Sequence, residues 1–170
     1  MLLKLNTVKL TARKKLVSLT FCLMLLVPAF LPAQSVAQEI ESLLEQSAVT
    51  YAQAARFVLD AADVLSAGPV EAFLFAQQQG WLPGNAEADQ LARLDGLSLL
   101  VMRAFDLRGG LMFQLTGSPR HAYRELIQNS VIQGRAAPNM NVTGYNLLFI
   151  INRAITITEE FFDWNPEDLL

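Results

Sequence analysis

Residues His121 to Ile155 read HAYRELIQNSVIQGRAAPNMNVTGYNLLFIINRAI, a helix, a turn, a short loop and a second helix. Moved back fifty positions, the stretch lies without a gap on Glu71 to Phe105, EAFLFAQQQGWLPGNAEADQLARLDGLSLLVMRAF. Ala122 falls on Ala72, Tyr123 on Phe73, Ile132 on Leu82, Gly134 on Gly84, Leu147 on Leu97, Ile150 on Leu100, Arg153 on Arg103 and Ala154 on Ala104. A partial copy precedes both: Val49 to Ala55, VTYAQAA, overlays Val142 to Leu148, VTGYNLL. Self-similarity of this kind marks a small array whose helix pairs cannot bury their own apolar faces and must pack on their neighbours.

The features of the unit are His121-Ala122-Tyr123 near a helix start, the turn Val131-Ile132-Gln133-Gly134, Pro138 in the loop, Val142-Thr143 opening the second helix and Asn152-Arg153-Ala154-Ile155 near its end. This unit resembles the S-layer homology domain over about residues 49 to 156. The resemblance implies three such units around a pseudo-threefold axis and non-covalent attachment to peptidoglycan or a wall-linked polysaccharide. In that family the Arg after the Thr of a T-R-A-E box faces the glycan. Here Tyr51 and Gly144 follow Thr50 and Thr143, Leu94 takes that place in the second unit, and Gln53, Gly96 and Asn146 stand for the acid.

Residues 1 to 15 carry Lys4, Lys9, Arg13, Lys14 and Lys15 with no acid, and Leu16 to Leu31 is an apolar run broken by Pro28. A basic segment, a short apolar segment and the small residues Ser35-Val36-Ala37 describe a secretory signal peptide, with cleavage expected before Gln38. An uncleaved anchor is the alternative, but the run is shorter than the ~20 residues a spanning helix needs. A lipoprotein site at Cys22 would place bulky Phe21 immediately before the cysteine.

Removing residues 1–37 takes five of the thirteen basic residues and leaves eight, all arginine, against sixteen acids, a net charge of −8. Such a chain repels phosphate backbones, so nucleic acid is not an expected partner. The remainder has no lysine and no cysteine, which excludes thiolate chemistry, disulfides and phosphate loops that need a lysine. The expected organisation is a signal peptide at 1–37, an N-terminal arm at 38–48, a repeat domain at 49–156 and an acidic, aromatic tail at 157–170. The mature part suits one domain that does not span a membrane.

Within the repeat domain, Thr50 caps a helix whose stripe is Ala54, Phe57, Val58, Ala61, Ala62 and Leu65, ended by Gly68-Pro69. Glu71 to Gln79 is the next helix, and Leu91 to Leu107 follows with apolar residues at spacings of three and four. Leu111 to Leu115, LMFQL, reads as a short strand or extended segment. The last helix, Thr143 to Ile155, is apolar nearly all round and should be the most buried. The fold class expected is therefore all-α or nearly so.

His121 is the only histidine, so neither a two-histidine metal site nor a histidine relay can form, and no metal or cofactor is expected. Its plain reading is a first-turn helix residue beside Pro119 and Arg120. Asp60 with Asp63, and Glu159 with Glu160, read as solvated acids rather than a catalytic pair, and no catalytic residue is assigned. Arg103, Arg135 and Arg153 sit near unit junctions, where a guanidinium forks either onto a ligand carboxylate or onto Glu125, Asp95 or Asp106. Phe73, Trp81, Phe113 and Tyr123 either stack on sugar rings or belong to the core. The expected function is a non-enzymatic binding or scaffolding module of the cell envelope, in the periplasm or at the cell surface. Its partner is a cell-wall glycan or, alternatively, an envelope protein. The candidate glycan contacts are Arg120, Tyr123, Arg124 and Arg135, with Thr50 and Thr143 shaping the helix starts.

Overall fold

The structure, a computed structural model, describes residues 31–134 and 136–163, with side chains over 37–134 and 136–159. The expected signal peptide falls largely outside that range, as do Arg135 and the last seven residues of the tail. By its contacts the chain divides into Met1–Ser42 and Leu43–Leu170. The described residues of the first unit, 31–42, lie in helix α1 (Leu31–Leu44), which runs through the Ala37–Gln38 bond.

The second unit is helical, with two isolated β-bridges and no named strand among the described residues. Its helices are α2 (Tyr51–Ala61), α3 (Pro69–Gln78), α4 (Leu94–Ala104), α5 (Leu111–Thr116), α6 (Pro119–Gln128) and α7 (Gly144–Asp163). The all-α expectation holds. α4 packs most extensively on α6 and α2 on α3, while α2 also touches α4 and α7 and α5 touches α6.

The helix starts follow from local chemistry. Thr50 and Gln53 form a capping box, the Thr50 hydroxyl accepting from the Gln53 N–H and the Gln53 amide oxygen accepting from the Thr50 N–H. Pro69 and Pro119 each occupy a first helical position, where the missing N–H costs nothing. Pro69 therefore opens α3 instead of ending α2. α2 stops earlier, at Ala62, because Asp63 takes a left-handed conformation at φ 53°.

The same stop recurs. Asp63, Gly80, Asp106 and Ser130 all have positive φ, and the N–H of the next residue reaches back to the carbonyl of Leu59, Ala76, Met102 and Leu126 respectively. These are Schellman-type ends that satisfy otherwise orphaned carbonyls. α4 accordingly closes at Phe105, short of the Leu107 expected to end it.

Three segments that precede α2, α4 and α7 are joined by backbone hydrogen bonds. Val49 N–H donates to the Val142 carbonyl (2.8 Å), Val142 N–H to that of Ala92 (2.9 Å), and Ala92 N–H to that of Val49 (2.8 Å), closing a cycle. One residue pair outward, Tyr51 N–H donates to Gln90, Leu94 N–H to Met140 and Gly144 N–H to Gln46, at 2.9–3.0 Å. Tyr51, Leu94 and Gly144 are the first residues of their helices, whose N–H groups have no intrahelical acceptor. Each is satisfied by another segment instead of by water. Val49, Ala92 and Val142 are fully buried, so all three links lie in the core.

This ring revises the reading of residues 91–93. They pattern as helix, but Leu91 and Arg93 form antiparallel bridges with Thr50 and Asn141, so α4 starts only at Leu94. Two other expectations also change. LMFQL is helical, because Gly110 precedes it in extended conformation and Gly117 ends it at φ 56°. The last helix continues past Ile155 to Asp163, with Thr156 and Thr158 hydroxyls donating to the carbonyls of Asn152 and Ala154. No Gly or Pro interrupts residues 145–163 to stop it earlier.

The core collects Leu97, Leu100, Val101 and Met102 of α4 with Val58 and Leu59 of α2, Leu126 of α6 and Leu147 of α7. α4, not the last helix, is the most enclosed. Its buried set includes Gly96 and Ser98, whereas Tyr145 of α7 is 62% exposed. Each fully buried Leu contributes about 1.5–3 kcal/mol by leaving water. Among the described residues, no helix is long and apolar enough to cross a membrane.

Candidate functional site

None of the five described residues among the six chosen from sequence lines the cleft that Tyr51, Arg93 and Asp95 share. Thr50 is spent on the capping box of α2, and the Thr143 hydroxyl accepts from the Asn146 N–H at 3.1 Å as the corresponding cap of α7. Tyr123 is buried, and its hydroxyl donates to the Ala136 carbonyl at 2.9 Å. Burial raises its phenol above the ordinary value. A ring enclosed in this way offers no face to a sugar. Arg120 and Arg124 are exposed on α6 and make no hydrogen bond or ion pair among the described residues. Arg135 lies outside the described residues.

Phe73, Phe113, Trp81, Arg103 and His121 resolve into structural contacts, whereas Arg153 Nε is buried without a hydrogen-bond partner among the described residues. Phe73 and Phe113 are buried, and Trp81 packs edge-on to Phe75 at 5.7 Å. Arg103 lies over the Phe113 ring at 5.1 Å, a cation–π contact. His121 Nδ1 stands 2.7 Å from the Thr116 hydroxyl and 2.9 Å from that of Ser118. Thr116 donates its own proton to Met112, so it accepts from the imidazole, and His121 joins the end of α5 to the cap of α6.

A different set does converge. A cleft of about 180 Å³ opens beside the ring, with Tyr51, Asn85, Gln90, Arg93 and Asp95 as its polar lining. Pro83, Ala86 and Pro119 complete its wall with apolar surface. Arg93 immediately precedes α4 and Asp95 is in its first turn; their side chains pair at 2.9 Å between Nη2 and Oδ2. The other Asp95 oxygen accepts from the Gly96 N–H at 2.9 Å. Arg93 is the more open of the two, 45% exposed against 18% for Asp95.

Tyr51 is only 3% exposed, yet it lines this cleft. The oxygen accepts from the Arg93 N–H at 3.4 Å, while the O–H itself finds no acceptor among the described residues. Burial dominates in raising its pKa above 10.0, with Asp95 adding to the shift and the Arg93 amide and guanidinium opposing it. The phenol is thus held as a donor at neutral pH. Gly96 makes its position possible, because a Cβ there would collide with the Tyr51 hydroxyl.

Arg93 escaped the sequence reading because the fifty-residue overlay sets it on Thr143, a capping position, one place before Leu94. The available signal was Arg-x-Asp at a helix start, two opposite charges at a unit junction. Asp95, one of the acids offered as a neighbour to Arg103, Arg135 or Arg153, is engaged by Arg93. No protein-family model, curated protein or solved structure matches this chain.

Proposed function

We propose that the chain is an exported, non-enzymatic module of the cell envelope, with three S-layer-homology-like helix-loop-helix units around a pseudo-threefold axis, attaching to peptidoglycan or a wall-linked glycan. The closed cycle of Val49, Ala92 and Val142 supports the threefold part, since the sequence overlays equate these three positions. Residues 1–37 act as the signal peptide, which directs the module to the periplasm or cell surface.

The observation that carries the binding reading is the cleft beside the ring, where Tyr51, Arg93 and Asp95 line one small space. Arg93 replaces the missing T-R-A-E arginine from one residue away. Arg120 and Arg124 remain as exposed cations for a polymer extending beyond the cleft. Co-sedimentation of the protein with purified peptidoglycan, before and after stripping of attached polymers, tests this. Binding that falls by about tenfold in Arg93→Ala supports it, and a protein left wholly in the supernatant overturns it.

One feature favours the second reading, an adaptor that binds an envelope protein. On α5, Leu111, Met112 and Leu115 are 68%, 60% and 72% exposed, an apolar face on a very short helix. Isolated exposed hydrophobes need no explanation, but adjacent ones mark interaction surfaces. If this reading holds, Leu111→Ser/Leu115→Ser releases a partner from envelope extracts while leaving sedimentation with peptidoglycan unchanged.

A further inference from the structure

We infer that the cleft takes the zwitterionic end of an amino acid, its α-carboxylate between the Arg93 guanidinium and the Tyr51 hydroxyl, and its α-ammonium on the Asp95 carboxylate. The inference rests on the wall-binding reading for its physiological source and narrows it from the sugar chain to a peptide end. Diamino-acid side chains in wall peptides carry such a free centre.

Three observations select this ligand. The first is the unmatched donor: Tyr51 is almost wholly buried, and its O–H has no acceptor among the described residues. The oxygen already accepts from the Arg93 N–H, which leaves its proton available to an acceptor placed beside it. Gly96 is what leaves room for that hydroxyl, because any side chain there would displace it.

Charge is the second observation. The lining holds one cation and one anion, Arg93 and Asp95, side by side. A simple carboxylate ligand would gain Arg93 and meet Asp95, and a simple amine would gain Asp95 and meet Arg93. A group carrying both charges on one carbon satisfies the two residues together, and the guanidinium presents a flat set of donors suited to a carboxylate.

Size is the third. About 180 Å³ lies below the ~300–1,000 Å³ of pockets that enclose drug-sized ligands. It accommodates a terminal group of a few heavy atoms, not a disaccharide. Pro83, Ala86 and Pro119 offer apolar contact to the carbon stem behind that group.

The test is a titration of protein purified from cells expressing the whole chain, followed by amide chemical shifts and calorimetry. The probes are meso-diaminopimelate, an N-acetylated amino acid lacking the ammonium, and an amino-acid amide lacking the carboxylate. We expect saturable binding of meso-diaminopimelate that shifts the Gln90, Arg93, Asp95 and Gly96 amides. Losing either charge should weaken binding by about tenfold or more, the range of one charge-assisted contact. Tyr51→Phe should weaken it by about three- to tenfold with the fold retained, since only one hydrogen bond is removed. Asp95→Asn should reverse the preference, so that the N-acetylated probe binds at least as well as the zwitterion.

Equal binding of the zwitterion and either single-charge probe to the unaltered protein, or no saturable binding, overturns the inference. Competition separates it from the broader reading. Sedimentation with peptidoglycan that persists under saturating meso-diaminopimelate overturns the zwitterion site and leaves wall binding standing. Saturable meso-diaminopimelate binding by a protein that never sediments supports the site and removes its wall source.

Discussion

Gly144 and Gly96 are among the glycines whose positions a side chain cannot share. A Cβ on Gly144 would run into the main-chain carbonyl of Leu43, and one on Gly96 into the Tyr51 phenol. The first obstacle is backbone tied to a buried leucine, whereas the second is the end of a side chain, so the costs differ. Gly144→Ala should lose more than about 2 kcal/mol of stability in denaturant melts, with Gly96→Ala losing about 1–2 kcal/mol because helix propensity offsets part of the overlap. A Gly144→Ala protein as stable as the parent would show that the α7 start is not held against Leu43. The two buried phenols make a further prediction. Tyr51 and Tyr123 have pKa values raised by burial, so their neutral forms are favoured in the folded state. Their contribution is fully present below pH 10.0, the ordinary tyrosine value, and is lost as pH rises through the higher folded values. Melting curves recorded upward from pH 9 should steepen in their decline near pH 10, and Tyr51→Phe/Tyr123→Phe should flatten that decline.

At the level of elements, legibility tracked the range of the interaction that decides each one. The capping residues Thr50 and Thr143 and the helical periodicity of α2, α4, α6 and α7 are local signals, and they were readable. Leu91 to Arg93 were not, because their extended conformation depends on Thr50 and Asn141, far away in sequence. Leu111 to Leu115 misled for another reason. Its hydrophobic run has no period to separate strand from helix, and the deciding cues were Gly110 before it and Gly117 after it. The helix ends were misplaced because residues other than glycine hold the left-handed conformation. Asp63, Asp106 and Ser130 do so at φ 53°, 49° and 57°. Serine gains least there, so Ser130→Gly should raise stability by about 0.5–1 kcal/mol, read as an increase in the unfolding midpoint. A drop would mean that the Ser130 side chain contributes more than its backbone conformation costs.

The unit Leu43–Leu170 is held together by the three segments around Val49, Ala92 and Val142. That Ala92 aligns with Val142 was legible from the fifty-residue register, and that Val49 aligns with Val142 from the shorter overlay. The cleft beside them was not, since it depends on which side chains the ring brings together: Tyr51 from the first segment, Arg93 and Asp95 from the second. These three central amides should exchange with solvent at one common rate, the slowest in the protein, because none can open without breaking a shared cycle. Hydrogen exchange followed by NMR checks this, and separate rates for Val49 and Val142 would count against a single cooperative centre. Val142→Pro, which deletes one donor in the buried ring, should cost about 3 kcal/mol or more.

A closed cycle also fixes how the chain can be made and how it can grow. An open helical array gains stability with each repeat added and begins to fold before its last repeat exists. Here the Val49 amide waits for a carbonyl ninety-three residues later, and Ala92 waits for the same late segment. A nascent chain that has not yet delivered Val142 can join its first two segments through the Ala92–Val49 bond but cannot close the cycle. Contacts of such long range slow folding, and they leave no free end to which another unit can be attached. Evolution can therefore alter the loops and the clefts between them residue by residue, but changing the number of segments requires a different centre.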